Sequence, residues 1–268
     1  MLSIDHLVIA VADLAAATAR WRALGFTVHP GGRHPGRTSH NALVVFADGS
    51  YLELIAWTAF NPAERWCVEH AKHGDGPMDL ALLPDETGAA IERARARGLE
   101  LDGPVDGGRL RPDGVEVKWR TGRQRTFDLP FLCGDVTPRP LRVPEGEVRV
   151  HANGATGIAS VTVAVGDLAT SMGRWRALVG DDGTVDELSC TVASVGLRVA
   201  TVRLGGQSIL LACPEGEATG ETARRVADRL SRRGEGPVAL ALRFARGAAV
   251  PSFTDPARTD GTPIDAVA

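Results

Sequence analysis

The feature that most constrains this chain is an internal repeat. Asp13-Leu14-Ala15 followed by Arg20-Trp21-Arg22-Ala23-Leu24 recurs as Asp167-Leu168-Ala169 and Arg174-Trp175-Arg176-Ala177-Leu178, at a constant offset of 154 positions. The preceding apolar run repeats too, Ile9-Ala10-Val11 against Val163-Ala164-Val165. Gapless identity of this kind marks a duplication, so the fold must reuse one structural unit. A fainter copy lies between the two. Leu80–Leu101 aligns on Leu7–Val28 at an offset of 73, with Gly98 on Gly25 and Arg93 and Arg95 on Arg20 and Arg22. A partial fourth copy begins at Gly234-Glu235-Gly236-Pro237, which mirrors Gly74-Asp75-Gly76-Pro77.

Local physics gives each copy the same shape. Ile4–Val11 is rich in Ile and Val and reads as a strand. Asp13 can cap the next helix, Leu14, Ala17, Trp21 and Leu24 form its apolar stripe, and Gly25 supplies a left-handed end. The Gly/His/Pro-rich stretch 29–39 reads as a loop. Ala42–Phe46 and Tyr51–Trp57 read as a hairpin turning at Asp48-Gly49. Unit two runs from about 77 to 137, with strands near Val115–Arg120 and Leu129–Cys133, and unit three covers about 157 to 214. Unit four is truncated to one strand at Val238–Phe244 and a Pro/Asp/Thr-rich tail with little strand signal. The fold class is therefore α+β, built of repeated βαβββ units. The Pro- and Gly-rich segment 137–155 is the expected boundary between a domain over 1–140 and a second over 156–268.

Composition narrows the function classes. At 268 residues the chain can form two domains of ordinary size. A net charge of −3 and the lack of a Lys/Arg block argue against nucleic acid. The arginines within 92–97 and 224–233 fall at helical spacing and read as solvated faces. There is no run of about 18 apolar residues, so no membrane span is expected. The amino-terminal stretch lacks the basic n-region of a signal peptide, and Cys67, Cys133, Cys190 and Cys213 are scattered as reduced thiols would be. A cytoplasmic protein is expected, and high Ala, Arg and Gly with one Tyr suggests a GC-rich, bacterial genome. No P-loop, nucleophile elbow or dinucleotide fingerprint is present.

Several stretches together resemble one family. They are Ile4-Asp5-His6-Leu7-Val8-Ile9-Ala10-Val11 with Asp13-Leu14, Gly31-Gly32-Arg33-His34-Pro35-Gly36, His40-Asn41-Ala42-Leu43, Tyr51-Leu52-Glu53-Leu54-Ile55 and Leu129-Pro130-Phe131. As a set they resemble glyoxalase-like proteins of the vicinal-oxygen-chelate superfamily over residues 1 to about 135, more weakly in the duplicated half. The resemblance implies paired βαβββ units whose sheets curl into a cup around a divalent metal (Zn, Ni, Mn or Fe), with His6 and Glu53 at the first two ligand positions. It also implies a range of chemistries: isomerisation, epimerisation, extradiol cleavage and thiol transfer. Some members only bind and sequester a small molecule, so fold does not fix function.

The residues themselves leave alternatives open. A lone mid-strand His6 is more often a core histidine than a ligand. Glu53 sits among apolar neighbours, and a carboxylate buried there needs a cation, a donor or a proton. Asp79 aligns on His6 in unit two and is the candidate third metal ligand. At the last strand of that unit, Cys133 or Gly134 falls where a carboxylate is wanted, with Asp128 and Asp135 at the strand's ends. Ser160 and Leu210 replace His6 and Glu53 in the duplicated half, which confines any metal to the first half. His40 begins a strand that pairs with the Glu53 strand, and joins Glu53 as a candidate proton-moving group. Arg33, His34 and Arg37 are candidate substrate contacts suited to an anion, or exposed loop residues. Trp57 and Trp119 are candidate cavity walls or core, Trp21 and Trp175 are core, and His70 and His73 are surface. Three functions follow: a metal-dependent lyase or isomerase acting on a small oxygenated molecule, a metal-free small-molecule binding or sequestering protein, and a catalytically degenerate structural member. A homodimer is a candidate assembly.

Overall fold

The computed structural model describes residues 2–187 and 196–267; Cys190 lies outside them. β1 (Ser3–Ala10) leads to Asp13, whose Oδ1 accepts the backbone N–H groups of Ala15 at 2.9 Å and Ala16 at 3.0 Å. These are donors that the first turn of α1 (Leu14–Ala23) leaves without intrahelical partners. Gly25, at φ 84°, ends the helix as expected. The chain returns through β2 (His29–Arg33), β3 (Ser39–Val45) and β4 (Tyr51–Trp57). After α2 (Arg65–His73) the unit repeats as β5 (Gly76–Leu83), α3 (Thr87–Ala96), β6 (Asp102–Leu110), β7 (Glu116–Arg123) and β8 (Phe131–Asp135).

These eight strands close into a barrel in the order β1-β4-β3-β2-β6-β7-β8-β5. Closure corrects the loop expected over 29–39, because β2 is the seam strand and pairs with β6 through Arg33 and Leu110. Its glycines are there for contact. A Cβ on Gly32 would lie 2.1 Å from the Leu110 carbonyl oxygen, and one on Gly31 would lie 2.0 Å from Asn41 Oδ1. Glycine in a strand here permits close backbone approach.

The register settles how the two units correspond. β1 and β5 run antiparallel, with His6 opposite Ala81 and Val8 opposite Asp79. A two-fold operation that moves residues by 73 positions exchanges those pairs, so Asp79 is the counterpart of His6. The parallel pairs Val8 with Glu53 and Ala81 with Phe131 are likewise equivalent. The counterpart of Glu53 is therefore Phe131, not Cys133 or Gly134. Parallel β5–β8 pairing fixes this, and it is invisible in a sequence whose loops differ in length.

The second half comprises β9 (Ala155–Ala164), α5 (Leu168–Val179), β10 (Thr184–Glu187), β11 (Leu197–Leu204), β12 (Gln207–Pro214), α6 (Glu221–Arg233), β13 (Gly236–Phe244) and β14 (Ile264–Val267). They form one open sheet ordered β10-β11-β12-β9-β13-β14. β14 corrects the tail expected to lack strand: Ile264 pairs in parallel with Leu240. Four residues with only Ile264 buried give too little pattern to read in advance.

One apolar core runs through both halves, with Trp21 and Trp175 each 0% exposed. The repeated Arg-Trp pair has the same task in both copies. Trp21 Nε1 donates to Asp260 Oδ2 at 2.8 Å, and Arg20 Nε donates to Asp260 Oδ1 at 3.0 Å. Trp175 Nε1 donates to the Asp128 carbonyl at 2.9 Å, and Arg174 holds the Asp128 carboxylate at 2.7 Å. Each helix thus grips an aspartate of the other half, just ahead of that half's last strand.

Other arginines expected to be solvated also join the halves. Arg229 is buried and donates to the Pro77 carbonyl at 2.9 Å, Arg233 donates to the Asp75 carbonyl at 2.8 Å, and Arg97 donates to the Ala177 carbonyl at 2.7 Å. Backbone carbonyls at element ends take up these guanidiniums, a contact that charge spacing alone does not disclose. Among the described residues no helix is long and apolar enough to cross a membrane.

Candidate functional site

The two-residue period of strands decides which side chains look into the barrel. His6 and Val8 of β1, Tyr51, Glu53, Ile55 and Trp57 of β4, and Ser39 and Asn41 of β3 share the inner face. Trp119, Thr121 and Arg123 of β7 and Phe131 and Cys133 of β8 line the same space. They surround a cavity of about 200 Å³. Engineered cavities of about 150 Å³ hold benzene, so the space suits a slightly larger molecule.

At its floor lies a buried polar chain. The β1–β5 pairing shifts register between Ile4 and His6, which leaves Asp5 as a bulge residue beside His6. The His6 ring stacks on Tyr51 with centroids 4.5 Å apart, and its Nδ1 lies 2.8 Å from Asp5 Oδ2. Nε2 lies 3.4 Å from Glu53 Oε2, while Glu53 Oε1 accepts the Asn41 amide at 2.6 Å.

Beneath this pair, Arg142 Nη1 donates to Asp5 at 2.7 Å and to the Tyr51 hydroxyl at 2.8 Å, and Arg139 lies 2.8 Å from Asp5. Both arginines also bind Asp135. They are the first and last residues of α4 (Arg139–Arg142), inside the segment expected to be the domain boundary. That segment is packed rather than free: His151 Nε2 reaches the Val45 carbonyl at 3.0 Å, and its Nδ1 accepts the Thr27 N–H at 2.9 Å.

Burial would raise the Glu53 carboxyl, but the His6 contact, His34 and the Asn41 amide bring it down to about 2. Asp5 follows the same logic, as burial is outweighed by Arg142, His6 and Arg139, which hold it well below the usual carboxylate range. His6 is pushed the other way: burial lowers it, but Asp5 and Glu53 raise it above its ordinary value. Burial pushes the Cys133 thiol up to about 12, so it is a wall and not a nucleophile.

The expected site residues divide by the face they occupy. His6 and Glu53 come together. His34 joins them, with Nε2 3.9 Å from Glu53 Oε1 and Nδ1 bonded to Ser39 Oγ at 3.0 Å, and Arg37 lines the cavity from its exposed turn. Trp57 and Trp119 are both walls, and Trp57 Nε1 donates to Glu64 at 3.1 Å. His70, expected at the surface, stacks on Trp57 at 5.3 Å and props it.

His40 is not brought in. Strand alternation points it away from its neighbours Ser39 and Asn41, its Nδ1 is buried without a partner, and burial and then Arg33 lower its pKa. Arg33 is exposed opposite it on β2. The side chain that meets Glu53 from β3 is Asn41, one position from the residue chosen from sequence. Asn41 lies two residues from Leu43, which pairs with Glu53, so its side chain shares the Glu53 face.

Asp79 faces inward but is engaged elsewhere. Its Oδ2 accepts the Trp66 indole N–H and its Oδ1 the Leu80 N–H, both at 2.9 Å, and burial raises its pKa against the pull of Arg123 and Arg65. Asp128 and Asp135 serve Arg174 and Arg142 instead of the cavity. A catalytic ion needs about three protein ligands. His6 and Glu53 are two, His34 stands 3.9 Å from Glu53 with its other nitrogen on Ser39, Asp79 is committed to Trp66, and Phe131 has no donor. Among the described residues no group of three or more His, Cys, Asp or Glu could hold a metal ion. Arg109 and Arg123 add positive charge around the same space. This donor set does not fit the four-position metal site that the resemblance implies.

Comparison with known proteins bears on the fold. The family model described as a glyoxalase-like domain matches residues 4–179. No curated protein matches the chain. A hypothetical protein from Staphylococcus aureus is similar over 100% of both chains, with a TM-score of 0.71 at 14% identity. A mutant of 4-hydroxymandelate synthase from Streptomyces coelicolor is similar over 90% of this chain and 71% of its own, with a TM-score of 0.60 at 17% identity. A xylose isomerase-like TIM barrel/4-hydroxyphenylpyruvate dioxygenase fusion protein is similar over 91% of this chain and 36% of its own, with a TM-score of 0.55 at 17% identity. At such identities the likeness is one of fold.

Proposed function

This chain belongs to the glyoxalase-like domain family, and from that premise we propose that it binds a small organic molecule in the barrel cavity without a protein-held metal. The supporting observation is the polar floor. His6 and Glu53 satisfy each other, Asp5 and Asn41 hold them from behind, and the two symmetry-related positions offer a committed Asp79 and a Phe131. The walls, formed by Tyr51, Trp57, Trp66, Trp119 and Phe131, suit an apolar and flat ligand body. This is the sequestering member of the three functions drawn from the sequence.

A second reading rests on one contact. An ionised Glu53 lies within 3.4 Å of a histidine whose other nitrogen is oriented by Asp5. The pair could take and return a proton of a bound molecule, as an acid–base lyase or isomerase would require. His40 has no place in that chemistry.

The deciding experiment is metal analysis by mass spectrometry on protein purified without chelator, run beside a small-molecule binding and turnover panel. The expected outcome is sub-stoichiometric metal in both wild type and Glu53→Gln, with ligand binding present. A stoichiometric divalent ion in the wild type that disappears in Glu53→Gln would overturn the metal-free reading and restore the metal-dependent lyase or isomerase.

A further inference from the structure

The charges inside the barrel do not balance. Arg142 is neutralised by Asp5 and Asp135, and Arg65 donates its hydrogen bonds to the Gln124 and Arg125 carbonyls. Arg123 lies over the Trp66 and Phe131 rings at 4.8 and 4.5 Å. Arg109 has no such partner. It lines the cavity from β6, is 3% exposed, and among the described residues makes one side-chain hydrogen bond, from Nη2 to the Arg142 carbonyl at 2.8 Å. Its Nε is buried without any acceptor. Among the described residues no carboxylate forms an ion pair with it, and Glu53, the nearby candidate, is already held by His6 and Asn41.

A guanidinium is not deprotonated in proteins, so this charge persists inside the barrel. A buried cation without a counterion is costly, and the cost falls when an anion enters. The strand is shaped for such a guest. Gly107 and Gly108 precede Arg109 without side chains, and a Cβ on Gly107 would strike Trp119 Nε1 at 2.4 Å, so the indole lies flat against β6 beside the arginine.

Resting on the cavity-binding reading above, we propose that the ligand of this barrel is an organic anion, with its carboxylate or phosphoryl oxygens on Arg109 and its flat apolar body between the tryptophans. About 150 Å³ of the space suffices for a benzene-sized body, leaving room for one charged substituent.

Benzoate and its neutral isostere benzamide are the probes, measured by calorimetry on the intact chain, with inorganic phosphate as competitor. Wild type should bind benzoate roughly ten- to hundredfold more tightly than benzamide, the range expected of a charge-assisted hydrogen bond. Arg109→Met should erase that preference while keeping benzamide binding, which also reports that the barrel still folds. Arg109→Lys should keep part of it, since the charge stays and the fork is lost. Competition by phosphate would assign the anion to the phosphoryl class, and no competition to the carboxylates; both support the proposal. Equal binding of the two probes by wild type, or an undiminished preference in Arg109→Met, overturns it while leaving the cavity-binding reading intact. Binding of neither probe, nor of any member of the wider panel, would defeat both.

Discussion

In the barrel half, β1 places His6 beside Tyr51 and Val8 beside Glu53; in the sheet half, β9 places Ser160 beside Ser208 and Thr162 beside Leu210. The registers are the same and the side chains are not. The barrel half carries a complete second unit, whose β6 and β7 reach round to β2 and close the wall. In the sheet half, β13 passes to β14 without strands in that role, so the sheet stays open and Ser160 and Leu210 are only half-buried. Enclosure is what gives a carboxylate consequences. Behind a closed wall Glu53 must be matched by His6 and Asn41, whereas Leu210 has nothing to match.

The largest expected break falls on the support of that enclosure. Replacing Arg142 with Met would leave Asp5 buried without its main partner, at a cost of about 3–5 kcal/mol. Denaturant unfolding checks this, and a loss below about 1 kcal/mol would mean that Arg139 alone can hold Asp5. Next is acid. The Glu53 carboxyl is lowered from 4.5 to about 2 in the folded protein. Its stabilisation is therefore present above 4.5 and lost as pH falls toward 2. Glu53→Gln should flatten the stability profile in that window, and identical acid slopes for the two proteins would remove Glu53 from the account. His6 has the opposite sign: with its pKa raised, its contribution is complete below the ordinary histidine value of 6.5 and fades as pH climbs through the folded value.

Smaller effects test whether the halves are joined evenly. Asp128→Asn and Asp260→Asn should each cost about 1–3 kcal/mol, because each weakens a buried charge-assisted contact to an equivalent arginine. A large effect at one and none at the other would mean that the repeated Arg-Trp pair has ceased to be equivalent. Least of all should follow from Ser160→His. On an open, half-buried face it should shift stability by no more than about 0.5 kcal/mol and add no ligand binding by calorimetry.

Much of the fold was legible because it is written twice. The capped helix, Gly25 and the Asp48-Gly49 turn obey local rules, and the offsets of 154 and 73 carried those rules to the other copies. What escaped was set by long-range pairing. Gly31 and Gly32 read as loop because a strand's need for close approach at a seam has no local signature. Phe131 could be assigned only from the β5–β8 register. In the site, His6 and Glu53 follow from the resemblance, whereas the expected His40 stands one residue from Asn41, and in a strand one residue inverts a side chain's destination. Arg109 and Arg142 were missed for another reason. Nothing in a sequence distinguishes a buried guanidinium from a solvated one, and both are positioned by contacts more than thirty residues away.

The paired grips of Arg20-Trp21 on Asp260 and of Arg174-Trp175 on Asp128 have the form of an isologous interface, in which the same patch serves both as hand and as handle. Two copies of one subunit meeting about a two-fold axis would make this contact twice. Here a single backbone makes it, so its local concentration is set by the tether instead of by the amount of protein. Each half on its own would expose one bare indole N–H and one bare aspartate. Dilution should therefore leave the junction untouched, and only severing the chain between its halves should make their association depend on concentration.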